Sequence, residues 1–378
     1  MIPFNKPYMS GRELENISAA HDAGALSGDG AFSRQCETWL SDQIGCRRTL
    51  LTHSCTAALE MSALLLDLQP DDEVIMPSYT FVSTANAFAL RGARPVFVDI
   101  RADTLNLDET LIEAAITPRT RAICAVHYAG VGCEMDAINA IAARRGLSVI
   151  EDAAQAICAS YKTKPLGGFG RFGAMSFHET KNATCGEGGA LFLNEAEDVE
   201  RAEILREKGT DRSRFLRGAV DKYTWRSLGS SFLLGELSAA FLAAQLEATR
   251  ETTRRRLDCW DRYHSGLEAL EREGLLRRPI VPSHCEHNGH MYYVLLSPDL
   301  DRHAVIERLT ERGVNAVFHY TPLHASQAGR RLGRVSGAMT QTDAVSASIL
   351  RLPMWRDLTP AMIEQVVNAL RSAVTGQT

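Results

Sequence analysis

Ser176-Phe177-His178-Glu179-Thr180-Lys181-Asn182 sets a hydroxyl five positions ahead of a lysine, and Cys185-Gly186-Glu187-Gly188-Gly189 follows as a glycine-rich turn. Upstream, the apolar run Leu147 to Ile150 ends in Glu151-Asp152-Ala153-Ala154-Gln155. These residue types are the ones a pyridoxal phosphate (PLP) site requires. A lysine gives the amine for a Schiff base, and a carboxylate keeps the pyridine nitrogen protonated so that the ring withdraws electrons. Hydroxyls and backbone amides hold the phosphate. Glycines let the backbone approach a ligand closely. Lys181 alone is also compatible with an ordinary surface lysine. The apolar Ala174-Met175-Ser176-Phe177 run leading into it and the glycines behind it favour chemistry.

Thr52-His53-Ser54-Cys55-Thr56-Ala57-Ala58 places small and hydroxyl residues where a helix opens after a strand. Free N–H groups and the positive end of the helix dipole point outward together there, which suits a phosphate. The same pattern also makes a plain Ser/Thr cap. Asp152 ends a strand, where α/β folds bind ligands. A helix cap and a dinucleotide-ribose acid are its alternatives, and the second lacks a preceding Gly-x-Gly-x-x-Gly. Gln155 is placed to reach a neighbouring ring substituent from the first helical turn. His284-Cys285-Glu286-His287-Asn288-Gly289-His290 looks like a ligand cluster. No matching pair recurs at finger-like spacing, so the stretch reads as loop and strand and no metal is expected. Arg206, Lys208, Arg212, Arg214, Arg217, Lys222 and Arg226 interleave with Phe215, Tyr223 and Trp225. That segment is either a solvated loop or a cradle for a nucleotide diphosphate.

The elements that would position these groups alternate. Glu73 to Pro77, Pro95 to Asp99, Arg121 to His127, Leu147 to Glu151, Ala174 to Phe177 and Ala190 to Leu193 read as strands. Thr56 to Leu66, Ser83 to Leu90, Asp108 to Ala115 and Glu134 to Arg144 read as helices between them. Near-continuous apolar strands separated by helices predict a parallel sheet covered on both faces, an α/β fold. A long helical pattern runs from about Phe232 to Leu267. Beyond it a strand is expected over His290 to Leu296, a helix over Arg302 to Arg312, and a strand over Asn315 to Tyr320. A final helix opens at Thr359-Pro360. Two domains follow: a large one over 1–245, with the N-terminal segment, and a smaller α+β domain over 246–378.

The 378 residues are 45% hydrophobic and 23% charged, ordinary for a soluble globular protein. A net charge of −5 without a long basic run argues against nucleic-acid binding. No apolar stretch reaches the length of a membrane span, and Met1-Ile2-Pro3-Phe4-Asn5-Lys6 lacks the layout of a signal peptide. Nine scattered cysteines without a Cys-x-x-Cys pair read as reduced thiols. A cytoplasmic protein is expected.

Ser-Phe-His-x-x-Lys-Asn with Glu-Gly-Gly, Glu151 to Gln155, and Pro77-Ser78-Tyr79-Thr80-Phe81-Val82-Ser83-Thr84 together resemble the DegT/StrS family of sugar-nucleotide aminotransferases. The likeness covers essentially the whole chain. Lys222-Tyr223-Thr224-Trp225-Arg226 and Val317-Phe318-His319-Tyr320-x-Pro322-Leu323-His324 look closest to the dTDP-4-amino-4,6-dideoxygalactose transaminases. The resemblance implies a PLP-dependent homodimer of fold type I, with L-glutamate as amino donor and dTDP-4-keto-6-deoxyglucose as acceptor, serving cell-surface glycan assembly. It implies that Lys181 carries the cofactor and moves the proton, that Asp152 pairs with the pyridinium, and that Gln155 contacts the ring hydroxyl. Thr56, Ala57 and Ser176 would hold the phosphate, Phe81 would stack on the ring, and His178 would stand near the cofactor. Tyr320 and His324 fall in a segment that borders the sugar nucleotide in relatives, and Arg212 and Arg226 are further candidates for it. Many relatives reach the partner's cofactor phosphate with an Asn where this chain has Leu233, which leaves Ser230 or Ser231 as substitutes. Lysine at 181 speaks against the sugar dehydratases, which resemble this family but carry histidine there. A 3-keto, GDP- or UDP-linked sugar as acceptor remains open, as does a regulatory protein on the same scaffold.

Overall fold

The computed structural model describes residues 1–376. Its centre is an eight-stranded sheet in the order Arg48–Thr52, Gly189–Leu193, Phe172–Ser176, Ser148–Asp152, Thr120–Val126, Glu73–Pro77, Arg94–Val98, Arg334–Val335. Gly189–Leu193 runs antiparallel to both neighbours, and the remaining pairings are parallel. This is the mixed, mostly parallel α/β architecture that the apolar runs predict.

Those runs are continuously apolar because both faces of the sheet are covered. Side chains alternate across a strand. Val74 and Met76 accordingly enter one core while Ile75 enters the other, and Ala122 and Cys124 part from Ile123 and Ala125 in the same way. Helices Cys55–Leu65, Val82–Ala89 and Val199–Arg206 cover one face. Helices Ala31–Ile44 and Met135–Arg145, with the first half of the 31-residue helix Glu236–Gly266, cover the other. Parallel strands all end at one edge. Pro77, Val126, Asp152 and Ser176 therefore deliver the residues after them to a common place, and the antiparallel Gly189–Leu193 strand begins there.

A second core forms around an antiparallel sheet of Leu276–Arg277, Tyr292–Leu296 and Ile349–Leu352. Helices Arg302–Glu311 and Pro360–Thr375 pack on it, with Cys259, Trp260 and Tyr263 from the far half of the long helix. Ile2 joins this core and donates its N–H to the Gly313 carbonyl at 2.7 Å. Thr359 caps the last helix through Oγ1, which accepts from the Met362 N–H, and Pro360 occupies its first turn as expected.

One expected strand does not form. Asn315 to Tyr320 makes only an isolated bridge, Val317 to Arg351. Val317 is held by the sheet, Phe318 is exposed, and His319 and Tyr320 turn into a cavity. Tyr320 takes a positive φ of 25°, which few residues with side chains adopt and which no strand tolerates. The strand expected from His290 likewise begins only at Tyr292, because His290 and Met291 line the same cavity. No helix among the described residues is long and apolar enough to cross a membrane, and all nine cysteines are unpaired.

Candidate active site

The strand ends open onto a cavity of about 550 Å³ between the two cores. Asp152 forms part of its wall, buried at the end of its strand. Its Oδ2 accepts from Thr84 Oγ1 at 2.7 Å, and Oδ1 accepts from the Ala154 N–H at 3.2 Å. Thr84 is itself bonded to Thr80, 2.8 Å between hydroxyls, so two side chains of the Pro77 to Thr84 stretch orient the carboxylate. Gln155 is fixed at both ends: Oε1 accepts from the Ala129 N–H at 2.6 Å, and Nε2 donates to the Tyr320 hydroxyl at 3.1 Å.

The helix Cys55–Leu65 starts on the cavity wall. Ser54 Oγ accepts from the Ala57 N–H at 3.1 Å, a cap worth about 1 kcal/mol, so the plain capping role is real. A cap satisfies only one of the orphan donors of a first turn, which leaves the Cys55 and Thr56 amides for a ligand. Thr56 Oγ1 donates to Ser83 Oγ at 2.8 Å. Gly189 explains how the strand and this helix start come so close. A Cβ there would overlap the backbone of Ser54 and Cys55, so no other residue fits without moving the turn.

Lys181 and Ser176 line the same cavity. Burial pushes the Lys181 ammonium below its ordinary value, with Cys55 and Asp152 pulling the other way. A lysine so placed holds a neutral, nucleophilic amine at lower pH than a solvated one. His178 also lines the cavity; its Nδ1 accepts from the Thr180 N–H at 3.3 Å, which puts the ring proton on Nε2, 3.6 Å from Glu187. Phe81 lies on the rim with more than half its surface exposed.

Among the side chains of the wall that residue type and spacing did not point to are His290, His319 and Arg351. His290 Nδ1 is 3.1 Å from Asn182 Oδ1, and His319 Nδ1 is 2.7 Å from the Tyr128 hydroxyl. Burial drives both imidazoles well below their ordinary range, so they stand neutral. Arg351 is the third. Its only trace in the sequence is an arginine inside the apolar run Ile349-Leu350-Arg351-Leu352.

Other expected residues lie outside the cavity lining. His324 bonds Ser78 at 2.8 Å and approaches Asp343 at 3.4 Å. Most of the basic segment is paired within the chain. Arg206 is fully buried between Glu37 and Asp29, Arg212 pairs with Glu207 at 2.7 Å, Arg217 with Glu203 at 2.8 Å, and Arg226 with Asp211 at 3.4 Å. Leu233 packs beside Gly28. The histidine-rich stretch is taken up in packing: His284 bonds Glu134 at 2.9 Å, and His287 lies against Trp260 with ring centres 4.5 Å apart.

Comparison with known proteins gives this arrangement its relatives. Residues 7–371 match the model of the DegT/DnrJ/EryC1/StrS aminotransferase family. An uncharacterized protein of Methanocaldococcus jannaschii is 35% identical over 346 residues, 90% of this chain and 89% of that one. The aminotransferase TlmJ of Streptoalloteichus hindustanus superposes with a TM-score of 0.91 at 29% identity, covering 100% of this chain and 99% of TlmJ. The PLP-form of Spr1654 from Streptococcus pneumoniae does so with a TM-score of 0.91 at 25% identity, covering 100% and 99%. The fold is that of the type I PLP-dependent transferases.

Proposed function

The chain belongs to the DegT/DnrJ/EryC1/StrS family of PLP-dependent sugar aminotransferases, and we propose that it moves the amino group of L-glutamate to C4 of dTDP-4-keto-6-deoxyglucose. The product is dTDP-4-amino-4,6-dideoxygalactose, an intermediate for cell-surface glycans. The observation that carries the reading is the meeting of Lys181, Asp152 and the helix start at Cys55 on one cavity. The choice of sugar rests on the Phe-His-Glu-Thr-Lys, Lys-Tyr-Thr-Trp-Arg and Val-Phe-His-Tyr stretches of the sequence.

The residues present fit pyridoxal 5′-phosphate: an acid for the ring nitrogen, amides and hydroxyls for the phosphate, and an amine for the aldehyde. When bound, the cofactor supplies an electron sink that lets the C–H bond beside an amino group break. The chain supplies positioning and proton transfer. Asp152, aimed by Thr84 and the Ala154 N–H, serves the ring nitrogen. Gln155 serves the ring hydroxyl from a side chain fixed at both ends. Thr56 and Ser176 serve the phosphate, and Ala57 keeps the first turn in shape, its own N–H capped by Ser54. Phe81 covers the ring face, and His178 closes the side toward Glu187. Lys181 holds the cofactor and then takes and returns the proton; burial, which favours its neutral amine, suits it to act as a base. Tyr320 is the substrate contact on the cavity wall. His324, Arg212 and Arg226 have no such place in this chain's own cavity. A homodimer is part of the proposal: Trp225 is 81% exposed, and Tyr223 and Leu228 beside it are also exposed, an apolar face suited to a second copy.

The test is incubation of the PLP-loaded protein with L-glutamate and dTDP-4-keto-6-deoxyglucose, with the product identified by mass and NMR. An axial 4-amino-4,6-dideoxyhexose supports the proposal in full. Loss of the cofactor's absorption band with glutamate but no amino sugar keeps amino transfer and rejects this acceptor. No change of the band rejects both.

A further inference from the structure

Amino transfer to a carbonyl compound moves protons at two places. Lys181 is placed to work at carbon. When an amine nitrogen condenses with a C=O group, the C–O bond also breaks and the oxygen leaves as water, so a proton must reach oxygen as nitrogen loses one. His290, on the cavity wall, has none to give. Asn182 Nδ2 donates to the Asn288 carbonyl at 3.0 Å, so its Oδ1 faces His290 Nδ1, which therefore carries the ring proton. Burial keeps that imidazole neutral, and its Nε2 is a bare acceptor. His319 is tied to the Tyr128 hydroxyl through Nδ1.

Tyr320 is held so as to supply that proton. The Ala129 N–H can only donate, so Gln155 turns Oε1 toward it at 2.6 Å and Nε2 toward the Tyr320 hydroxyl at 3.1 Å. The Tyr320 oxygen accepts in that bond, and its own O–H must point elsewhere. Among the described residues, no other group lies within hydrogen-bonding distance of that oxygen. The proton is left for the cavity that Tyr320 lines with Lys181. Burial pushes the phenol above its ordinary range, so it stays protonated at neutral pH. The ring is fixed: His319 stacks on it with centres 3.6 Å apart, and Tyr79 meets it edge-on at 5.5 Å. Tyr320 at φ 25° and Ala129 at φ 57° both hold strained backbone, one at each end of the Gln155 amide. Gln155 serves the cofactor's ring hydroxyl, which neighbours the ring carbon bearing the aldehyde. A hydroxyl 3.1 Å from its amide nitrogen therefore stands beside the bond being made.

We propose that Tyr320 is a catalytic residue that gives its O–H proton to the oxygen of the carbonyl substrate as that oxygen leaves, and takes a proton back from the nitrogen that has bonded the carbon. The nitrogen lone pair closes the C=N bond, and the C–O electron pair stays on oxygen. The water carries away the two protons that the nitrogen lost, and Tyr320 ends as it began. In the opposite half-reaction the same hydroxyl works in reverse, as water adds to the C=N bond and 2-oxoglutarate departs. This rests on the amino-transfer reading above and holds for any keto acceptor.

The test puts PLP-loaded wild type and Y320F in heavy water with L-glutamate and isotopically labelled 2-oxoglutarate, followed by NMR. Loss of glutamate's α-proton to solvent needs a C–H bond to break and no C–O bond. Passage of label from 2-oxoglutarate into glutamate needs the C–O bond to break as well. Y320F is expected to lose label transfer about 100-fold while α-proton exchange stays within about threefold of wild type. Equal loss of both overturns the proposal and gives Tyr320 to the cofactor. Loss of neither overturns it and leaves Tyr320 to packing. Melting curves check that Y320F is folded, and Y320M takes its place if it is not. A wild type that exchanges no α-proton and transfers no label refutes the amino-transfer reading, and the proposal falls with it.

Discussion

Glu151 and Asp152 are adjacent on one strand and face opposite regions of the molecule. Glu151 points to the interior behind the sheet, where it accepts from His127 Nε2 at 2.9 Å and from the N–H groups of Gly167, Phe169 and Gly170 at 2.6 to 2.8 Å. Asp152 points into the cavity with two bonds. Arg206 and Arg351 differ in a similar way: two carboxylates enclose the first, whereas among the described residues none lies within ion-pair distance of the second, which lines the cavity. Glu151 and Arg206 are met by charged or donor groups of the fold, whereas Asp152 and Arg351 line the cavity, where a ligand can add to their few partners.

Four experiments break or sharpen that contrast. The largest effect belongs to Lys181→Ala: turnover is expected to fall about 1,000-fold or more, with circular dichroism and melting unchanged. Normal turnover would remove Lys181 from the chemistry. The paired acids come next. Glu151→Gln turns an amide N–H₂ toward backbone donors and is expected to cost about 3 kcal/mol of stability by urea unfolding, while the folded fraction keeps its turnover. Asp152→Asn is expected to lower turnover about 100-fold and leave the urea midpoint nearly in place. Swapped outcomes would refute the division between saturated and open groups.

Gly189→Ala tests the close approach that puts the helix start on the cavity. Its Cβ would collide with the Ser54–Cys55 backbone, so a loss of about 1–3 kcal/mol and weaker cofactor retention on dialysis are expected together. Loss of stability alone would separate the helix start from phosphate binding. The smallest effect is a pH dependence. Burial lowers Lys181 below 10.5 in the folded cofactor-free protein, so the unfolded chain binds that proton more tightly. Stability should then rise with pH from the folded value toward 10.5, an increment absent from Lys181→Met. Urea midpoints of the two proteins compared between about pH 7.5 and 9.5 measure it, and parallel curves would show that Lys181 is solvated.

The strand runs, the helices between them and the cap at Thr359 were legible because each depends on local pattern: apolar continuity, helical period, and a hydroxyl before a proline. Lys181, Asp152 and Ser176 were legible because motif order reflects the shared edge of a parallel sheet. Asn315 to Tyr320 misled because residue types that suit a strand here turn His319 and Tyr320 toward a cavity. For the arginines from 206 to 226, composition counts charges and cannot count partners; Glu37 and Asp29, which pair with Arg206, are distant from it in sequence. Arg351 shows the same limit from the other side. By itself the sequence determined the fold class, the strand edge and the residues able to do covalent chemistry, since these follow from periodicity and residue type. Only the tertiary structure decided which charges are saturated and which stand open, because that depends on what long-range packing brings within hydrogen-bonding distance.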